Sequence, residues 1–124
     1  MHRFHRDEAP PFTTKDGSTI RALVDVRLGG AKNQSLAEAL LPPGEATERH
    51  CHPASEEIYY FLSGRGEMEV SGARERVRPG DAVLIPSGAM HQVRADDDAE
   101  LLFLCCCAPA YSDADTVKIK GDRP

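Results

Sequence analysis

Residues 49–64 read RHCHPASEEIYYFLSG, and the fold turns on whether this is a metal-binding pair of strands or a hairpin that happens to be polar. On an extended strand, side chains two apart share a face, so His50 and His52 point one way and Cys51 the other. One strand thereby offers two imidazole nitrogens to one ion. Pro53 ends that strand, PASE makes a turn, and a strand beginning at Glu57 is placed to cross beside the histidines. Its carboxylate supplies a third side. Parity sends Glu57, Tyr59 and Phe61 inward and Ile58, Tyr60 and Leu62 outward; Glu56, one residue earlier, faces away and is the weaker candidate. A fourth ligand has to come from elsewhere, and the remaining histidine outside the N-terminal tail is His91, which follows the turn Pro86-Ser87-Gly88.

Outward from this stretch, turn signals recur throughout: KDG (15–17), LGG (28–30), PPGE (42–45), LSGRG (62–66), VSG (70–72), RPGD (78–81) and PSG (86–88). Between them lie strand-like runs: TIRALVDV, SLAEALL, EEIYYFL, GEMEV, RERV, DAVLI, HQVRA and ELLFLCCC. Short strands at regular spacing predict an all-β sandwich or barrel. Only AKNQSLAEALL (31–41) is compatible with a helix, and its alternation does not decide between helix and strand. A chain of 124 residues predicts one domain, 1–124, with a core over about 18–110 and ends (1–10 and 112–124) that are loose or packed on a partner.

Twenty acidic against fifteen basic residues give a formal charge of −5, with no dense basic stripe, which argues against nucleic acid. No apolar run is long enough to span a bilayer, and MHRFHRDEAPPF lacks the apolar core of a signal peptide; a soluble cytoplasmic protein is expected, with no membrane partner. Cys105, Cys106 and Cys107 are consecutive and Cys51 sits between histidines, which is not the spacing of a disulfide framework. Alternation places Cys105 and Cys107 on one face, where small buried residues are the expected role.

The residues GEATERHCHPASEEIYYFLSG (44–64) are similar to the first motif of the cupin family: Gly44, five residues, His50, one, His52, four, Glu57, six, Gly64. GDAVLIPSGAMHQVRA (80–95) resembles the second: Gly80, five, Pro86, one, Gly88, two, His91. The departure is Ala95, where the family often has asparagine at a position that is not a ligand. The resemblance implies a jelly-roll barrel, commonly a homodimer, in which His50, His52, Glu57 and His91 hold one divalent transition metal. That donor set suits Fe, Mn, Ni, Cu or Zn about equally. With Glu57 counted, the ion would keep a net charge near +1 and favour an anionic ligand in its open positions.

Some small cupin lyases resemble this chain in carrying a tyrosine two residues after the ligand glutamate. Tyr59 is thus a candidate catalytic phenol, a donor or, with its pKa lowered by the cation, a base; the competing reading is an aromatic that simply fills the barrel interior. Parity from the ligands offers Phe61, Val83, Ile85 and Val93 as walls of a substrate pocket. Tyr111 either reaches the barrel mouth or docks on a neighbour. The resemblance implies a metal-dependent enzyme acting on a small carboxylate, diketone or sugar-like molecule, of dioxygenase or isomerase/lyase type. The rival is a non-catalytic small-molecule-binding cupin.

Overall fold

Alternation along residues 56–63 sorts inside from outside: Glu57, Tyr59 and Phe61 are buried, while Glu56, Ile58, Tyr60 and Leu62 are exposed. The same period-two pattern recurs along residues 101–107, where Leu101, Phe103, Cys105 and Cys107 are buried. In a computed structural model, which describes residues 1–27 and 29–119, these stretches are two of eleven strands. The strands are β1 (Phe12–Thr13), β2 (Thr19–Val24), β3 (Ser35–Leu41), β4 (His50–Cys51), β5 (Glu56–Ser63), β6 (Gly66–Val70), β7 (Ala73–Val77), β8 (Ala82–Ile85), β9 (His91–Ala95), β10 (Leu101–Ala108) and β11 (Val117–Lys118).

They form two antiparallel sheets, one in the order β1-β2-β3-β10-β5-β8 and one in the order β11-β4-β9-β6-β7, which together make a jelly-roll barrel. Many neighbours in each sheet are distant in sequence, so the fold is built largely from non-local pairings. Register then decides which side chains meet. Pairing of β10 with β5 sets Phe103 opposite Phe61, Cys105 opposite Tyr59 and Cys107 opposite Glu57. Pairing of β4 with β9 sets His50 opposite His91. Phe61, Phe103, Leu41, Ile85, Val93, Leu101 and Met68 fill the space between the sheets. The Phe103 ring lies 4.7 Å from Tyr59 and 5.3 Å from Phe61, centroid to centroid. Along β5 the polar end, at Glu57, is therefore separated from the apolar interior, at Phe61, by the aromatic Tyr59.

Residues 35–41, compatible in sequence with either helix or strand, are a strand. β3 is paired on both edges, with β2 and β10, and tertiary pairing overrides modest helical propensity. For the ends, expected loose or packed on a partner, some described residues touch the barrel itself. Arg6 forms an ion pair with the nearly buried Glu38 at 2.8 Å, and Ala9 is buried. At the other end, Val117 and Lys118 pair with Cys51 and His50 as β11, which a two-residue strand gives no pattern to foresee. The rest of that expectation, residues 120–124, lies outside the described residues. Among the described residues no helix is long and apolar enough to cross a membrane.

Candidate metal centre

The three motif histidines converge between the sheets, His50 and His52 from the β4 segment and His91 from the start of β9, all 4% exposed or less. Their ligand nitrogens lie within 4.8 Å of one another. Each ring is held by its other nitrogen. His50 Nδ1 donates to the Glu48 carbonyl at 2.7 Å, and His91 Nδ1 to the Ala89 carbonyl at 3.0 Å. His52 Nδ1 lies 3.3 Å from both the Asp115 carbonyl and the Thr116 hydroxyl. A carbonyl only accepts, so the proton resides on Nδ1 and the Nε2 lone pairs are turned to the common centre. This is the tautomer a metal ion requires.

Glu57 reaches the same centre from the opposite sheet, its Oε1 standing 3.3 Å from Nε2 of His52 and 3.3 Å from Nε2 of His91. Glu57 Oε1 and His91 Nε2 are buried with no hydrogen-bond partner among the described residues. A lone-pair nitrogen facing a carboxylate oxygen is repulsive unless a positive charge sits between them. Two donors about 2.1 Å from one ion stand roughly 3.0–3.4 Å apart, so the spacing and the orphaned atoms both fit a divalent cation. Without an ion, protonated imidazoles take the place of the positive charge: burial alone would raise the Glu57 carboxyl, but the adjoining His52 and His91 hold it down, at about 2. For His52, burial alone would lower the imidazole, and Glu57 with the Asp115 carbonyl turns the net shift upward. His50 is pushed down, by burial first and then by His91, against the pull of Asp16.

A cavity of about 300 Å³ opens from this centre, lined by His52, Glu57, Tyr59, Phe103, Cys105 and Tyr111 among others. Tyr59 lies in the wall as parity predicts. Burial, and then the Glu57 charge, pushes its phenol well up, so within the protein alone it keeps its proton. Tyr111 is at the mouth, its ring 5.8 Å from that of His52. The expected pocket walls are corrected: Phe61, Ile85 and Val93 are 1% exposed or less within the core, and Val83 lines a separate recess with Met68, Val77 and Leu84. Parity along a strand tells inward from outward but not how far along the barrel axis a residue sits. The walls instead come from β2 and β3, at Ile20, Val24 and Ala37.

Several site residues have no signal in the motifs. Asp16 enters from the turn between β1 and β2, its Oδ2 3.4 Å from His50 Nε2. Asp115, which presents its carbonyl to His52, also accepts from the backbone N–H groups of Ala54 and Ser55 at 2.9 and 3.0 Å. The Cys107 thiol donates to Glu57 Oε2 at 3.2 Å and is pushed up by burial and by that carboxylate, so it stays a donor. An unsatisfied buried carboxylate oxygen costs roughly 1–3 kcal/mol. Cys107→Ala is therefore expected to lower unfolding stability by about that amount and Cys107→Ser to restore most of it, read from urea midpoints.

A family model for the cupin domain matches residues 37–107. An uncharacterised protein of Methanocaldococcus jannaschii is 43% identical over 110 residues, 89% of this chain and 88% of the relative. Protein SchB of Streptomyces halstedii is 33% identical over 94 residues, 76% of this chain and 67% of SchB. Among solved structures, the polyketide cyclase RemF of Streptomyces resistomycificus aligns at a TM-score of 0.79 and 26% identity, over 98% of this chain and 87% of RemF.

Proposed function

This chain belongs to the cupin family, and on that premise we propose that it is a metal-dependent enzyme acting on a small oxygenated molecule, by isomerase/lyase or cyclisation chemistry rather than oxygen activation. The observation that carries the reading is the set of three Nδ1-anchored imidazoles turned toward an unpartnered, buried Glu57 oxygen at the floor of a ligand-sized cavity. In this reading His50, His52, His91 and Glu57 hold the ion. When bound, it supplies positive charge to substrate oxygens, stabilising an enolate or alkoxide as it develops. The chain does the rest. Tyr59, protonated in the cavity wall, donates a hydrogen bond to a substrate oxygen and orients it. Ile20, Val24 and Phe103 hold the carbon skeleton and exclude water. The choice of cyclisation and related proton-transfer chemistry is supported by the likeness to a polyketide cyclase.

The partner in this reading is a second copy of the chain. The exposed apolar side chains Ile58, Tyr60, Leu62 and Leu84 share the outer face of adjacent strands, with Ile58 directly opposite Leu84, and favour a homodimer. A net charge of −5 disfavours nucleic acid.

Elemental analysis of the purified protein tests the premise: one equivalent of a single divalent transition metal is expected. Metal-dependent conversion of diketone, polyketide-like or sugar-like compounds should follow, with Tyr59→Phe lowering kcat roughly 10²-fold or more. Saturable ligand binding with no product in any loaded form would instead identify a binding module.

A further inference from the structure

We propose that Asp16 is a fifth donor to the ion, a second carboxylate that brings the loaded site close to electrical neutrality and selects neutral oxygen ligands over carboxylates. This rests on the metal reading above and adds a residue that lies outside both sequence motifs and outside the matched stretch 37–107.

The turn that carries Asp16 is built to aim one oxygen. Oδ1 is consumed locally, accepting from the Thr14 hydroxyl at 2.6 Å, the Ser18 N–H at 2.9 Å and the Ser18 hydroxyl at 2.6 Å. Gly17, at φ +93°, closes the turn in a conformation side chains rarely adopt, and Thr14 N–H bonds the Ser18 carbonyl. The turn is tied down on two further sides. Glu48 N–H donates to the Asp16 carbonyl at 2.8 Å, two residues before His50, and the Lys15 ammonium donates to the carbonyls of Asp113 and Thr116. With the side chain only 13% exposed, Oδ2 is left facing His50 Nε2 at 3.4 Å, in the wall of the cavity.

The Glu48 carbonyl holds the His50 proton on Nδ1, so the facing nitrogen is an acceptor, as is the carboxylate oxygen. That contact repeats, on the other side of the centre, the relation of Glu57 Oε1 to His52 and His91. The three imidazole nitrogens lie within 4.8 Å of one another and each carboxylate faces at least one of them, so a cation at this centre would relieve the contact at His50 as well as those at His52 and His91. The charge consequence reverses the expectation drawn from four ligands. A divalent ion with Glu57 alone keeps about one positive charge; with Asp16 as well it keeps none, and the attraction for an anionic substrate is lost. Hydroxyl and carbonyl oxygens of an uncharged molecule then suit the open position, in keeping with the apolar walls at Ile20, Val24 and Phe103.

The test uses Co²⁺ titration of chelator-stripped full-length protein against a chromophoric competitor, in the wild type, Asp16→Asn, Ser18→Ala and His52→Ala. Asparagine keeps an oxygen for Thr14 and Ser18, so the turn survives, which matching melting curves of the metal-free proteins verify. One equivalent of Co²⁺ is expected in the wild type, with affinity falling by more than about a hundredfold in Asp16→Asn, beyond the roughly 10–100-fold of a group acting behind a ligand. Ser18→Ala should fall much less. Oxalate, added to the loaded proteins, should bind at least about tenfold more tightly to Asp16→Asn than to the wild type. The proposal is overturned if Asp16→Asn loses less than about tenfold, if Ser18→Ala loses as much, or if oxalate affinity is unchanged, while His52→Ala still abolishes uptake. Failure of the wild type to bind Co²⁺, or full uptake by His52→Ala, overturns the metal reading and this proposal with it.

Discussion

His91→Ala is expected to take metal content from one equivalent to background. His91 is fully buried, its ring fixed by Nδ1 on the Ala89 carbonyl, and its Nε2 has no partner among the described residues. A binding free energy of roughly 10–16 kcal/mol shared among four or five donors makes each worth about 2–4 kcal/mol, roughly 30- to 900-fold in affinity. The variant also removes one of the two imidazoles that hold the Glu57 charge in a buried setting, so the remaining site is both weaker and less ordered. A metal that binds only the folded state raises the melting temperature by mass action. A chelator should accordingly lower the melting temperature of the wild type and leave that of His91→Ala unchanged. Full metal content in the variant would place the ion elsewhere.

Gly64→Ala is expected to destabilise the fold by roughly 2–5 kcal/mol, combining roughly 1–2 kcal/mol for a left-handed non-glycine residue with roughly 1–3 kcal/mol for a steric conflict that only backbone movement relieves. Gly64 has φ +82°, and a Cβ there would stand 2.1 Å from the Glu100 carbonyl oxygen and 3.0 Å from the Leu101 Cα. Both neighbours are backbone, and Leu101 is fully buried in the core, so neither can retreat. Natural domains hold roughly 5–15 kcal/mol in total, so the variant should lose a large share of its stability and unfold at a much lower urea midpoint than the wild type. Gly72→Ala is the control: φ is +88° but nothing lies within 4 Å of the added atom, and the cost should be about 1–2 kcal/mol. Equal urea midpoints for the two variants would show that the close approach of β10 to this turn does not constrain the fold.

That His50, His52 and Glu57 face one way was legible from local periodicity and a short turn, whereas His91, which meets them through the pairing of β4 with β9, was legible only through the resemblance of its stretch to the second cupin motif. Most strands were legible too, since β5, β6 and β8 follow runs that end at or beside a glycine or proline. What remained illegible depends on which strands become neighbours. Cys107 bonds Glu57 only because β10 inserts between β3 and β5 in one register, and in the sequence it reads as a small apolar residue. Asp16 reads as an ordinary turn aspartate, and its turn role at Oδ1 conceals the second oxygen. Phe61, Ile85 and Val93 show the same limit from the other side: they face inward, yet at a depth where core, not cavity, occupies the barrel.

The contact of His52 with Asp115 joins two parts of the chain 63 residues apart. Asp115 steadies the ring with its carbonyl and, through its carboxylate, the loop at Ala54 and Ser55, and the strand that follows it is zipped to β4. Coupling of this kind is reciprocal. An ion drawing on His52 would fasten the closing segment to the barrel, and a segment that peeled away would unsettle the ring and loosen the ion. Occupancy of the centre and docking of residues 112–118 would thus behave as one latch, whose bolt is an imidazole and whose strike plate is a peptide carbonyl.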